Sequence, residues 1–204
     1  MVQRKLTVLV CFCGFLTFLS SIRAEDRDKW QQPDRVMADL HIASGSAIAD
    51  VGCGEGYFTL RLAKAVGTTG QVFAVDIDKK TLEKLQKAAD RNHLTNVVIV
   101  LSEPADTKLM PESVDAVFIC DVIHEVTDSQ LRPPLVRSAV RAIKPGGFLY
   151  LIDYHKSRDV PFDPYEKLVS RDDLCRLCAD AGLRLDAEFM YLKYQVFFRF
   201  QKPK

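Results

Sequence analysis

The sequence predicts a three-layer α/β domain: a doubly wound, mostly parallel sheet of seven strands whose last two form an antiparallel hairpin. Three observations carry this expectation. From residue 25 onward, strand-like apolar runs alternate with helix-like amphipathic ones, the pattern of a parallel sheet covered on both faces. The first run leads straight into three glycines on alternate positions, Gly52, Gly54 and Gly56, and open sheets of this type receive ligands at the carboxyl ends of their strands. The last apolar stretch holds two strands with no helix between them, so one of them must run against the rest.

Taken in order, SAIADVG is a short apolar run of the kind buried on both faces. YFTLRLAKAVG follows with helical spacing at Phe58, Leu62 and Val66 and stops at Gly67. QVFAVDID is the second strand. DKKTLEKLQKAADRNHL sets Leu82, Leu85 and Ala89 on one stripe between charges, an amphipathic helix. NVVIVLSE and SVDAVFICDVI are the third and fourth strands. PPLVRSAVRAIKPGG reads as a helix with prolines near its start, where missing amides cost least, ending at Gly146 and Gly147. FLYLIDYH is the fifth strand, SRDDLCRLCADAG another helix, and LRLDAEFMYLKYQVFFRFQ the closing pair of strands.

The first two dozen residues stand apart. Arg4 and Lys5 precede 17 residues without a charge, Leu6 to Ile22, and Ala24 is a candidate cleavage position. This is the layout of a secretory signal peptide, and it is also the short limit of a membrane span. The division is therefore residues 1–24 as signal peptide or anchor and 25–204 as one domain, exported or membrane-anchored. Basic residues flank the run on both sides, Arg4 and Lys5 before it, Arg23, Arg27 and Lys29 after it, so they give no orientation. A formal net charge of +1 offers no electrostatic case for nucleic acid, and the aromatic tail FMYLKYQVFFRF has too few interleaved cations for one. Cys53, Cys120, Cys175 and Cys178 read as core or loop thiols; CRLC lies on one helix face, and no Cys/His cluster suggests a metal.

The glycine spacing is G-x-G-x-G, with Asp50 two residues before it. A dinucleotide fingerprint would read G-x-G-x-x-G, and a Walker-type phosphate loop would need a Lys-Ser or Lys-Thr pair that does not follow. About 20 residues on, the second strand ends at Asp76. A carboxylate there accepts both hydroxyls of a ribose and rejects one carrying a 2′-phosphate.

With these motifs the chain resembles the class I S-adenosylmethionine-dependent methyltransferases. The likeness rests on ADVGCGEGYFT, VFAVDID, LMPESVDAVFICDVIHEV and RAIKPGGFLYLID, in that order. It covers about residues 30 to 200 and is nearest to small bacterial methyltransferase-like proteins that begin with a WQQPDRVM-type segment, Trp30 to Met37. The resemblance implies the Rossmann-like methyltransferase fold, S-adenosyl-L-methionine as cofactor, and a role for each matched residue. Gly52, Cys53 and Gly54 would pass beneath the methionine part, with Asp50 ordering the loop and the ligand amine. Asp76 would hold the ribose and Ile77 pack on the adenine. Glu103 would sit near the adenine amino group, with Asp106 as competitor, and Asp121 would face the methionine end or the acceptor. Glu55 departs from the small hydroxyl residue often found at its position.

Methyl transfer from a sulfonium is an in-line displacement in which alignment supplies much of the rate. A general base is needed only where the acceptor must lose a proton. The candidates are His124, Glu125, Tyr154 and His155, and His124 is the catalytic residue singled out. The acceptor is expected to be a small molecule or lipid-like. Two other readings stay open at this point: a non-catalytic S-adenosylmethionine-binding or assembly protein of the same fold, and an NAD-dependent oxidoreductase.

Overall fold

The computed structural model describes residues 27–154 and 168–204; the apolar leader and His155 lie outside them. Residues 27–31 are helical, Gln32 breaks the run with a positive φ of 47°, and α1 (Pro33–Asp39) restarts it with proline in its first turn. Then follow β1 (Ala47–Val51), α2 (Thr59–Val66), β2 (Gln71–Asp76), α3 (Lys79–Arg91), β3 (Val97–Leu101) and β4 (Val114–Cys120). A 3-10 turn at Ser129–Leu131 leads into α4 (Arg132–Ala142), β5 (Ile143–Tyr154), α5 (Arg171–Asp180), β6 (Arg184–Phe189) and β7 (Gln195–Gln201).

The seven strands form one sheet in the order β3-β2-β1-β4-β5-β7-β6. The first five are parallel, and β7 lies antiparallel between β5 and β6. This is the mostly parallel sheet with an antiparallel hairpin that the sequence predicts. Successive strand residues point to opposite faces, so each face has its own core. Val51, Val117, Ile119, Leu149 and Phe198 pack under α4 and α5. Ile48, Val72, Phe118, Ile152 and Phe197 pack under α1 and α2, and Ala74 meets Leu82 and Leu85 of α3 on that same side. The side chains of Asp78 and Ser170 accept amide hydrogens in the first turns of α3 and α5, the capping that fixes where those helices begin.

One boundary differs from the expectation. The helix read as running to Gly146 ends at Ala142, because Ile143 already pairs with Val114 in the sheet. Pro145 disfavours helical backbone at Lys144, and the residues up to Phe148 are taken up as a register shift against β4.

The chain runs outward from β1 through β2 to β3, then crosses back to place β4 on the other side of β1. That reversal opens a crevice beyond the carboxyl ends of β1 and β4, where sheets of this kind hold ligands.

Candidate active site

The loop after β1 is shaped by two hydrogen bonds to one carbonyl. The amides of Gly52 and Cys53 donate to the oxygen of Val75, at 2.8 and 3.1 Å, which pulls the loop across the end of β2. Gly52 sits at φ +73°, and a Cβ there would lie 2.2 Å from Val122 Cγ2. Gly54, at φ +53°, has nothing within 4 Å of where a Cβ would be. The first glycine makes room for the neighbouring loop; the second leaves open space at the protein surface.

Asp76 faces that space. Its Oδ2 accepts the Gly54 amide at 3.0 Å and its Oδ1 the Asp78 amide at 2.9 Å. Each oxygen is fixed by one donor and keeps lone-pair capacity for another, as a carboxylate holding a diol requires. Asp50 is buried and accepts the Thr59 hydroxyl at 2.6 Å, tying the loop to the first turn of α2; burial pushes its carboxyl up to about 6. Cys53 is buried, and burial together with the charge of Asp50 pushes its thiol far above the usual range, which removes it as a nucleophile.

Two cavities meet over this loop. The larger, a cleft of about 440 Å³, is lined by Gly52, Asp76, Ile77, Glu103 and Asp121, with Val122, Val126, Leu131 and Leu135 as an apolar wall. The smaller, about 170 Å³, is lined by Asp50, Gly52, Cys53, Tyr57, Asp121 and Arg27. Gly52 and Asp121 belong to both. Ile77 is 59% exposed, an apolar side chain left standing in the cleft beside Asp76. Glu103 lines the cleft and pairs with Lys108 at 2.9 Å. Its competitor Asp106 is bound to the Lys108 amide and the Ser138 hydroxyl, which hold its carboxyl down at about 2, and it does not line the cleft.

Asp121 follows β4 with φ +60°. It belongs to a closed ring of four side chains. Arg27 Nη2 donates to Asp121 Oδ2 at 2.9 Å and Arg27 Nε to Gln31 Oε1 at 3.1 Å. Gln31 Nε2 donates to Gln195 Oε1 at 2.9 Å, and Gln195 Nε2 donates back to Asp121. Burial raises the Asp121 carboxyl to about 6, against the opposing pull of Arg27.

His124 is 2% exposed and lines neither cavity. Its Nδ1 lies 2.6 Å from Asp153 Oδ1, and its Nε2 lies 3.4 Å from Glu125 Oε1, a residue that does line the cleft. Asp153, fully buried, also accepts the amides of Ile123 and His124 at 2.7 and 3.3 Å, so it holds the turn after β4 in place. Tyr154 packs on the His124 ring with centroids 5.1 Å apart.

The structure thus gathers Asp50, Gly52, Cys53, Asp76, Ile77, Glu103 and Asp121 along the walls of these two joined cavities, ties Gly54 to them through its amide to Asp76, and sets His124 behind the wall. Sequence reading missed Arg27, Gln31, Tyr57, Asp153 and Gln195. A lone arginine ahead of the first strand and a glutamine opening the last carry no local signal.

The lining is a test of the ligand. Five carboxylates line the larger cleft, Asp76, Glu103, Asp121, Glu125 and Asp128, and no lysine or arginine does among the described residues. A pyrophosphate would meet charge of its own sign there, whereas a sulfonium nucleoside brings a cation and a diol. The residues present fit S-adenosylmethionine: diol to Asp76, base to Ile77, amino-acid end to the smaller cavity.

A family model described as a methyltransferase domain matches residues 48–147. The demethylmenaquinone methyltransferase of Staphylococcus saprophyticus is 30% identical over 132 residues, covering 65% of this chain and 54% of that protein; the chain spans about half the length of the curated relatives it matches. A SAM-dependent methyltransferase from Aquifex aeolicus superposes with a TM-score of 0.79 at 25% identity, over 89% of this chain and 97% of that one. One from Methanosarcina mazei, at 19% identity and TM-score 0.67 over 82% and 97% of the two chains, shares the fold. The matched domain contains the glycine loop, Asp76 and Asp121, and the neighbour from Aquifex covers most of the chain: this chain carries a methyltransferase domain of the S-adenosylmethionine-dependent kind.

Proposed function

We propose that the chain transfers a methyl group from S-adenosylmethionine to a small or lipid-like acceptor that reaches the crevice beside Asp121. One observation carries this reading: a carboxylate-lined crevice over an open glycine loop, with Asp76 presented by two amides. When bound, the cofactor supplies a methyl group already activated by positive sulfur. The chain's task is then alignment and exclusion of water. Asp76 would hold the sugar, Ile77 would support the base, Glu103 would accept from its amino group, and the Gly52–Gly54 backbone would carry the amino-acid end. Where the acceptor must lose a proton, Glu125 takes it from the cleft side, backed by His124 and Asp153 as a chain of partners reaching into the core. The apolar wall of Val122, Val126, Leu131 and Leu135 suits an apolar acceptor, and the charge-free run at residues 6–22 would keep the domain at a membrane. Because the curated relatives are named for demethylmenaquinone, a demethylated quinone is the first acceptor to try.

The test is calorimetric titration of the full chain, in mild detergent, with S-adenosylhomocysteine, S-adenosylmethionine and NAD. Wild type is expected to bind the first two at micromolar level, about −8 kcal/mol, and NAD far more weakly. Asp76→Ala should lose about 30-fold, the loss of charged hydrogen bonds worth roughly 2 kcal/mol. No binding by the folded protein, or equal binding by the variant, would sink the reading.

The two raised carboxyls give a pH dependence. Asp50 and Asp121 are raised to about 6 by burial, above the ordinary carboxylate value, so the native state holds protons that the unfolded chain releases. These two groups therefore favour the fold most at low pH, and their contribution falls as pH rises from about 4 through 6. A cationic ligand has the opposite preference, since it needs them ionised. Affinity for S-adenosylmethionine is expected to fall up to about tenfold per group for each pH unit below 6, and calorimetry at pH 5.5 in two buffers of different ionisation enthalpy should register released protons. Flat affinity between about pH 5 and 7.5 would contradict this.

A further inference from the structure

Among the described residues that line the smaller cavity, one is a cation, Arg27, which sits with the carboxylates of Asp50 and Asp121. Its guanidinium is held on three sides. Nε is fixed by Gln31, Nη2 by Asp121, and its face lies over the Tyr57 ring with Cζ 4.0 Å from the centroid. A guanidinium has five N–H groups in a rigid fork; here two are engaged, and Nη1 makes no described hydrogen bond. Tyr57 is itself pinned, its hydroxyl donating to Asp28 and its carbonyl accepting from Arg61. An immobilised, partly unused cation beside two carboxylates is complementary to a zwitterion, with an ammonium for the acids and a carboxylate for the fork.

We propose that Arg27 binds the carboxylate of the cofactor's amino-acid end, which makes the helical residues ahead of α1 a working wall of the cofactor site. The inference rests on the reading under Proposed function and adds a residue that lies outside the matched domain, which begins at residue 48. The buried pair Gln31–Gln195 then serves to lock that wall to the sheet, since it joins the segment to β7 at 0% and 1% exposure.

Two ligands separate this role from a merely structural one: S-adenosylhomocysteine, which carries the amino-acid end, and 5′-methylthioadenosine, which lacks it. Titrated against the full chain, Arg27→Ala is expected to weaken the first by about 10- to 100-fold and leave the second unchanged. Arg27→Lys keeps the charge beside Asp121 and loses the fork, so it should fall between, again for the first ligand alone; thermal unfolding of both variants checks the fold. Equal loss for both ligands, or none for either, would overturn the proposal while leaving the cofactor reading intact. A wild-type chain that binds neither ligand would overturn both.

Discussion

Gly52→Val is expected to abolish cofactor binding and to destabilise the fold by about 3–5 kcal/mol, the sum of left-handed strain on a β-branched residue and an overpacked contact. The clash is with Val122 Cγ2, 2.2 Å from the new Cβ, and a valine cannot swing that methyl away without changing rotamer. Urea denaturation and calorimetry read the two effects separately. Gly54→Ala is the contrast. Nothing stands within 4 Å of its Cβ position, so the protein alone should lose only about 1–2 kcal/mol from the left-handed backbone, yet the methyl occupies space assigned to the ligand. Affinity for S-adenosylhomocysteine should drop by more than about tenfold, the factor that 1.4 kcal/mol represents. If Gly54→Ala bound as well as wild type, the loop would not lie against the cofactor. Adding Val122→Ala to Gly52→Ala should recover the steric part of the lost stability and leave the strain.

The second large effect falls on a residue that touches neither cavity. Asp153→Ala removes the acceptor for the amides of Ile123 and His124 and the partner of His124 Nδ1, all inside the core. Leaving such groups unmatched costs about 3–5 kcal/mol, and the turn that presents Asp121 and Val122 would loosen with it. Asp153→Asn is the informative companion. It keeps an acceptor oxygen but cannot stabilise a charged imidazole, so a proton-accepting chain from Glu125 through His124 would lose kcat and shift its pH profile with cofactor affinity unchanged. Unaltered kcat in a stable Asp153→Asn protein would reduce the pair to a structural clamp.

The parts of this site legible in the sequence are those written locally. Alternate glycines after an apolar run, an aspartate ending the next strand, and two strands without a helix between them each follow from spacing along a few residues, and the structure puts Gly52, Asp76 and β7 where that spacing implies. Glu103 and Asp106 were indistinguishable in SEPAD; a turn pairing their backbones sends one carboxylate to the cleft and the other to Ser138. What stayed hidden is written at long range. Arg27 meets Asp121 across 94 positions and Gln31 meets Gln195 across 164. A buried glutamine looks in sequence like any polar residue at a strand end, and only the tertiary contact tells them apart. The end of α4 escaped for a related reason, since Ile143 leaves the helix to join a strand that lies far back in the chain.

The position of β7 has a consequence for synthesis. It follows β6 in the chain, yet it belongs between β5 and β6. Until residues 195–201 emerge, β6 has no neighbour in the sheet, β5 presents a bare apolar edge, and the ring through Gln195 is open. A nascent chain therefore completes five parallel strands and then waits with an exposed edge, the state most prone to pairing with another chain. On the role proposed for Arg27, the amino-acid end of the cofactor would be held only after Gln195 arrives, so ligand present in the translation mixture should protect chains that have completed β7 from proteolysis and leave chains stalled before β7 as sensitive as they are without it.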